Sequence, residues 1–290
     1  MAMALTLGSC SDNENGIGGE TSKYITVSTS IGNMTRVAAD AKGGQTFEEG
    51  DEISVYAWTG DATIAPDASE RVVNNAINKL TNGSWVSTPQ MLWKNNRDKH
   101  YFIGVYPTAA ISDLSAGEYT FDVNKQTESD LLVAVNPDGL SYSADAQQIV
   151  PLTFTHVMAK LAVNLTYKNQ WGGIPTVEKV VVGNAAKEAT INYLTKVVTP
   201  STTAKEDFSL PEITENTKYV SVIIPQEDVK QLTIVIGGKN FVYDNGTPFK
   251  LESGKITTVN LEVGRDEIKL GDVKITNWED GSTFSGEALN

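Results

Sequence analysis

Residues 149–166, IVPLTFTHVMAKLAVNLT, constrain this chain more than any other stretch. Leu152, Phe154 and His156 alternate with Thr153 and Thr155. Beyond His156 the apolar set moves to the other parity: Val157, Ala159, Leu161, Val163 and Leu165. Alternation with period two marks a strand that buries one face. A single regular strand cannot change parity, because a one-residue slip turns every side chain to the opposite face. The pattern therefore predicts a strand, a bulge or crossing point between His156 and Met158, and a second strand. We read the segment as the end of one β-domain and the hinge to the next.

The rest of the chain supports that reading. Its 290 residues leave room for two domains, and a 40% hydrophobic content supplies cores for both. A net charge of -13 argues against nucleic acid as a partner, since phosphate binding needs clustered Lys and Arg. No apolar run approaches the roughly 20 residues that cross a bilayer as a helix. The chain has one cysteine and so no intrachain disulfide.

That cysteine, Cys10, closes the sequence Leu7-Gly8-Ser9-Cys10 behind a short apolar run at residues 2–7. Leu, two small residues and Cys resemble the lipobox of bacterial lipoproteins, in which the thiol receives a diacylglyceryl group and palmitate. The apolar run lacks a basic start, which suggests that the true start lies upstream of Met1. Residues 11–20, SDNENGIGGE, are small and acidic, as expected of a flexible tether. An acidic run at this place also resembles the surface-export signal of Bacteroidota lipoproteins. Lipid on Cys10 would anchor the chain to a membrane.

Short alternating segments follow. YITVSTSI at residues 24–31 predicts a strand, and residues 37–45 an exposed loop that follows the accessible Arg36. In residues 47–58 a turn precedes a strand that sets Ile53, Val55 and Ala57 on one face and Tyr56 and Trp58 on the other. Residues 71–80 fit a helix or a strand equally. Asn82-Gly83 marks a turn. Strands are expected at 91–93, 100–106, 119–123 and 130–135, the last closed by the turn Asn136-Pro137-Asp138-Gly139. After a loop at 171–175, strands are expected at 177–182, 189–193, 218–225, 256–263 and 269–278, with a polar loop at 200–206. Residues 231–236 and 239–243 flank Gly237-Gly238 as a hairpin. Many short strands at this spacing indicate β-sandwiches.

No pattern for catalysis stands out. His100 and His156 lie in or beside expected strands, where a lone His is ordinarily a satisfied core residue, and no hydrolase, zinc or phosphate-loop motif is present. Residues 122–126 alternate oxygen-bearing side chains but lack the Gly and bidentate Glu of a calcium loop. The carboxylates Glu48, Glu49, Asp51 and Glu52 are adjacent in sequence and suit a solvated turn better than a glycosidase pair. Trp58, Trp85, Trp93, Trp171 and Trp278 could stack sugars, although packing is their default in a β-rich chain. No cofactor, metal site or enzymatic activity is expected.

Four further pieces stand in order: Phe47 with Gly50-Asp51-Glu52-Ile53-Ser54-Val55; Trp93 ahead of residues 101–106 and Pro107; Gln126 with Asp130-Leu131-Leu132-Val133-Ala134; and residues 151–156 with Ala159-Lys160-Leu161. In this order they resemble the fimbrillin family, the pilus subunits of Bacteroidales. The resemblance implies an all-β fold of two tandem transthyretin-like β-sandwich domains, with short helices only in loops. We expect a signal remnant and tether at 1–23, an N-terminal domain at 24–167 and a C-terminal domain at 168–290. The resemblance also implies a structural subunit, stalk or tip, of a cell-surface pilus that supports adhesion. It implies export as a lipoprotein to the outer membrane, a cut between Arg36 and Val37, and assembly with other pilin subunits by strand exchange into a fimbrium. The removed strand would carry Tyr24, Ile25, Val27 and Ile31. The donor strand would come from the C-terminal region with Val273, Ile275, Trp278 and Phe284, although residues 279–290 are poorer in β-branched residues than a donor should be. The alternative is a surface lipoprotein that binds a host or bacterial glycan or protein, or a pilus anchor that is not cleaved.

Overall fold

The computed structural model describes residues 23–32, 46–143, 148–244 and 246–278. Its helical content among these is one four-residue helix, α1 (Gln126–Ser129), and one 3-10 turn at Asn169–Trp171. The first half holds β1 (Thr26–Ile31), β2 (Glu52–Thr59), β3 (Val73–Thr81), β4 (Ser84–Thr88), β5 (His100–Tyr106), β6 (Gly117–Thr120), β7 (Leu132–Leu140) and β8 (Ile149–His156). The second half holds β9 (Ala159–Tyr167), β10 (Val177–Ala186), β11 (Glu188–Asn192), β12 (Val197–Pro200), β13 (Lys205–Ser209), β14 (Glu212–Thr214), β15 (Lys218–Ile223), β16 (Gln231–Ile236), β17 (Lys239–Asp244), β18 (Lys255–Val263) and β19 (Ile268–Asn277).

The parity change lies where the sequence places it. β8 ends at His156 and β9 begins at Ala159, while Val157 donates its N–H to Leu131 O at 3.0 Å. β8 belongs to a seven-stranded sheet of order β1-β8-β7-β5-β2-β3-β4, and β9 to a five-stranded sheet of order β14-β15-β9-β18-β19. The chain thus changes sheet between His156 and Ala159, ahead of the expected division after residue 167.

β2 shows how the first sheet is covered on both sides. Ile53, Val55 and Ala57 join Ile25, Phe102 and Phe154 in a core inside the curl of the sheet. Tyr56 and Trp58, on the opposite face as expected, join Ile103, Val105 and Val133 in a larger cluster. That cluster runs on without a break into the second half through Leu161 and Val163 of β9, Val259 and Leu261 of β18, Val180 and Val182 of β10, and Leu232 and Ile234 of β16. There the five-stranded sheet packs on a four-stranded one of order β13-β10-β16-β17, a β-sandwich. A three-stranded sheet, β12-β11-β6, ties the halves together, because β6 comes from the first half.

Several local expectations are corrected. The turn expected at residues 136–139 lies inside β7: Asn136 Oδ1 accepts the Gly139 N–H at 2.9 Å, Gly139 has φ +64°, and pairing with β5 resumes at Leu140 after a register shift. This is a bulge, which bends a strand without ending it. Residues 91–93 form one bridge, Tyr24 to Leu92, and no full strand. The strand expected at 119–123 is β6, displaced toward Gly117, where a Cβ would lie 2.5 Å from the Tyr193 ring. The polar loop at 200–206 is flanked closely by β12 and β13. Residues 71–80, open between helix and strand, contain most of β3. Asn82 and Gly83 both take positive φ, +51° and +73°, as a two-residue hairpin requires.

Candidate functional site

The seven-stranded sheet curls until its two edge strands, β1 and β4, approach each other. β1 is held on one side by β8, the one parallel partner in that sheet, with Thr26 opposite Ile149 and Ile31 opposite Phe154. Its alternation does the positioning. Ile25, Val27 and Ile31 point into the inner core and are 1%, 7% and 8% exposed, while Ser28 and Ser30 face outward. Three buried aliphatic side chains contribute on the order of 5 kcal/mol. Tyr24, expected with them, is exposed and bridges to Leu92.

The other edge of β1 meets the second strand edge only in part. Ahead of β1, Ile25 N–H donates to Met91 O at 3.0 Å and Trp93 N–H to Lys23 O at 3.2 Å. Beyond that point β1 and β4 share no ladder; the Trp85 indole N–H donates to Thr29 Oγ1 at 3.0 Å. The seam is therefore bonded at its Lys23 end and splayed toward Ile31. The splay encloses a cavity of about 640 Å³ along the whole of β1, lined also by Phe47, Leu80, Trp85 and Ile149. Phe47 plugs it from below, edge-on to Trp85, Tyr106 and Phe154 at centroid distances of 5.3, 5.3 and 5.1 Å.

The C-terminal candidates lie elsewhere. Val273 and Ile275 sit on β19, paired antiparallel with Val259 and Thr257 of β18, and are 40% and 39% exposed. Trp278 directly follows that strand, which ends at Asn277. Its N–H donates to Gly254 O at 2.8 Å, and its indole stacks on His156 with centroids 4.0 Å apart. Lys160 Nζ lies 4.0 Å from the same ring centroid, and His156 Nδ1 is 2.7 Å from Asp130 Oδ1. Burial lowers the Lys160 pKa, and the Asp130 carboxylate opposes that shift. Cys10, Arg36, Val37 and Phe284 lie outside the described residues.

Other candidates are accounted for by packing. His100 is fully buried, accepts the Lys94 N–H at Nε2 and sits edge-on to Trp93; burial lowers its pKa. Glu49 accepts the N–H groups of Asn82 and Gly83, and Glu52 pairs with Lys79. Asp122 caps the Asn124 N–H. Among the described residues no three His, Cys, Asp or Glu side chains gather as metal ligands would. The tryptophans do not form one platform: Trp58 and Trp93 are buried, Trp85 packs on Phe47, Trp171 on Phe241, and Trp278 on His156. A contact absent from the sequence reading is Gln126. Its Oε1 accepts the Val222 N–H at 2.7 Å and its Nε2 donates to Ser221 Oγ at 3.0 Å, so α1 docks on β15. No periodicity signals such a pair, which lies 96 residues apart.

The fold recurs in solved structures. A protein from Bacteroides uniformis named for cell adhesion superposes with a TM-score of 0.65 at 20% identity, covering 89% of this chain and 100% of that one. A protein from Bacteroides ovatus, also named for cell adhesion, gives 0.64 at 17%, covering 89% and 98%. A fimbrial protein from Bacteroides vulgatus gives 0.54 at 12%, covering 88% and 99%. No curated protein matches the chain. The family model described as fimbrillin-like matches residues 35–278, and the chain accordingly belongs to the fimbrillin-like family.

Proposed function

We propose that the protein is a stalk or tip subunit of an outer-membrane-derived surface pilus, exported as a lipoprotein through Cys10 and assembled by strand exchange. β1 is the strand that leaves after cleavage between Arg36 and Val37. The observation that carries this reading is the attachment of β1: one ladder, to β8, and three side chains in a core that the rest of the sheet already surrounds. Its loss would uncover an apolar groove beside an unpaired edge of β8, which an extended segment of another subunit would complete. The partners are other pilin subunits, and an adhesive ligand, glycan or protein, would belong to the assembled fimbrium. We place the two domains on either side of the β8–β9 junction.

The donor is the part of the chain after Trp278, including Phe284. Val273 and Ile275 would have to leave a ladder with β18 before they could be donated. That ladder favours, as a second reading, an anchor that keeps its own strands and is not cleaved. Limited trypsin digestion with mass spectrometry and size-exclusion chromatography separates the two. A cut after Arg36, loss of residues 24–31 and a ladder of oligomers support the exchanging subunit. A chain that resists the cut supports the anchor, and one that is cut there but stays monomeric supports a surface lipoprotein that does not exchange strands.

A further inference from the structure

Resting on the strand-exchange reading, we propose that the incoming segment enters at the splayed end of the β1–β4 seam, beside Ile31, and displaces β1 toward Tyr24. The occupant is an extended segment from the C-terminal end of a second copy of this chain.

The seam is asymmetric, and that asymmetry gives the direction. At the Lys23 end, the two backbone hydrogen bonds that make up the Tyr24–Leu92 bridge close it. From Thr26 to Ile31, among the described residues, β1 and β4 share no ladder, which leaves strand edges open to pairing. An extended peptide satisfies such edges, and between two of them it can begin pairing before either is vacated. The floor suits the side chains of an entering strand: Phe47 and Trp85 are apolar and line a cavity of about 640 Å³. A side-chain bond across the splay, from the Trp85 indole to Thr29, is half-exposed and joins two neutral groups.

Reach also fits. The six residues of β1 span about 20 Å, and the twelve residues after Trp278 extend to about 40 Å. They can therefore lie along the seam while Trp278 stays on His156 in the donating copy. The site of the proposed cut, after Arg36, follows the same end of β1 that the seam leaves open. The freed end of β1 would thus be the end first met by the newcomer.

A staple tests the direction. Tyr24 and Leu92 are opposed across an antiparallel bridge flanked by the bonds Ile25 to Met91 and Trp93 to Lys23, the close type of cross-strand pair. In a Cys10→Ser background, Tyr24→Cys with Leu92→Cys locks the closed end when oxidised. The full chain is clipped with trypsin and titrated with a fluorescent peptide of residues 268–290. The expected result is binding by the oxidised form, at least tenfold weaker than after dithiothreitol, which then releases β1. Binding only after reduction overturns the proposal and leaves strand exchange standing, with entry from the Tyr24 end. Binding by neither form overturns strand exchange itself. Should the staple disturb folding, the same peptide carrying a photo-cross-linker is added to the unmodified, uncut chain. Adducts at residues 28–31 or 84–85 support entry at the splay; adducts at 23–25 or 91–93, or none, overturn it.

Discussion

The imidazole of His156 lies flat against the indole of Trp278, 4.0 Å between centroids and 7° from parallel. Through this stack the last described residue is fixed to the point where the chain changes sheet. The imidazole also contacts Asp130, between α1 and β7, so three distant segments meet at one point. Trp278→Ala should lower unfolding free energy by about 2 kcal/mol, less than for a fully buried Trp. Urea denaturation would read this as a lower midpoint, and hydrogen exchange should show faster opening of β19 than of β9.

Gln126 joins the halves differently, by standing in for a strand at the edge of β15. Gln126→Ala would leave the Val222 N–H without its side-chain acceptor, at a cost of about 1–3 kcal/mol. Ser221→Ala removes the weaker half of the contact. A double-mutant cycle of the two should return a coupling energy above about 0.5 kcal/mol; additivity would show that Gln126 acts through the backbone bond alone.

Gly104 gives the ring of Phe154 its place. A Cβ there would lie 2.6 Å from Phe154 Cζ and 3.1 Å from Leu152 Cδ1. Gly104→Ala should therefore cost about 1–3 kcal/mol by overpacking. Combining it with Phe154→Leu should recover part of the loss in thermal unfolding.

His100 makes stability depend on pH. Burial holds its pKa below the ordinary 6.5, so the unfolded chain binds a proton that the folded chain refuses. The sign follows from linkage: stability falls as pH drops from the unfolded value near 6.5 to the lower folded value, and this contribution is flat below it. Urea midpoints measured from pH 7.5 to 5 should fall for the parent chain and fall less steeply for His100→Phe.

Much of this was legible because burial on sheet faces writes period two into the sequence. The parity change after His156 located the sheet change, and the alternation of β2 assigned Ile53, Val55 and Ala57 to one core and Tyr56 and Trp58 to another. Turn chemistry was less reliable. Asn136-Pro137-Asp138-Gly139 has turn composition, yet a bulge absorbs it, because pairing with β5 continues on both sides. The seam was legible by half: β1 reads as a strand, but its parallel pairing with β8 and its partial contact with β4 depend on how far the sheet curls. That curl has no local signature, and neither has the bond from Trp85 to Thr29.

The core shared by the two halves has a mechanical consequence. Tyr56 and Trp58 of the first sheet and Val259 and Leu261 of the second lie in one uninterrupted apolar cluster. Bending one half against the other would part that cluster and expose it to water, so each subunit should resist flexing along its length. In any fibre built from such units, compliance would reside in the joints between them, and a pull on the fibre would stretch those joints before it deformed a subunit.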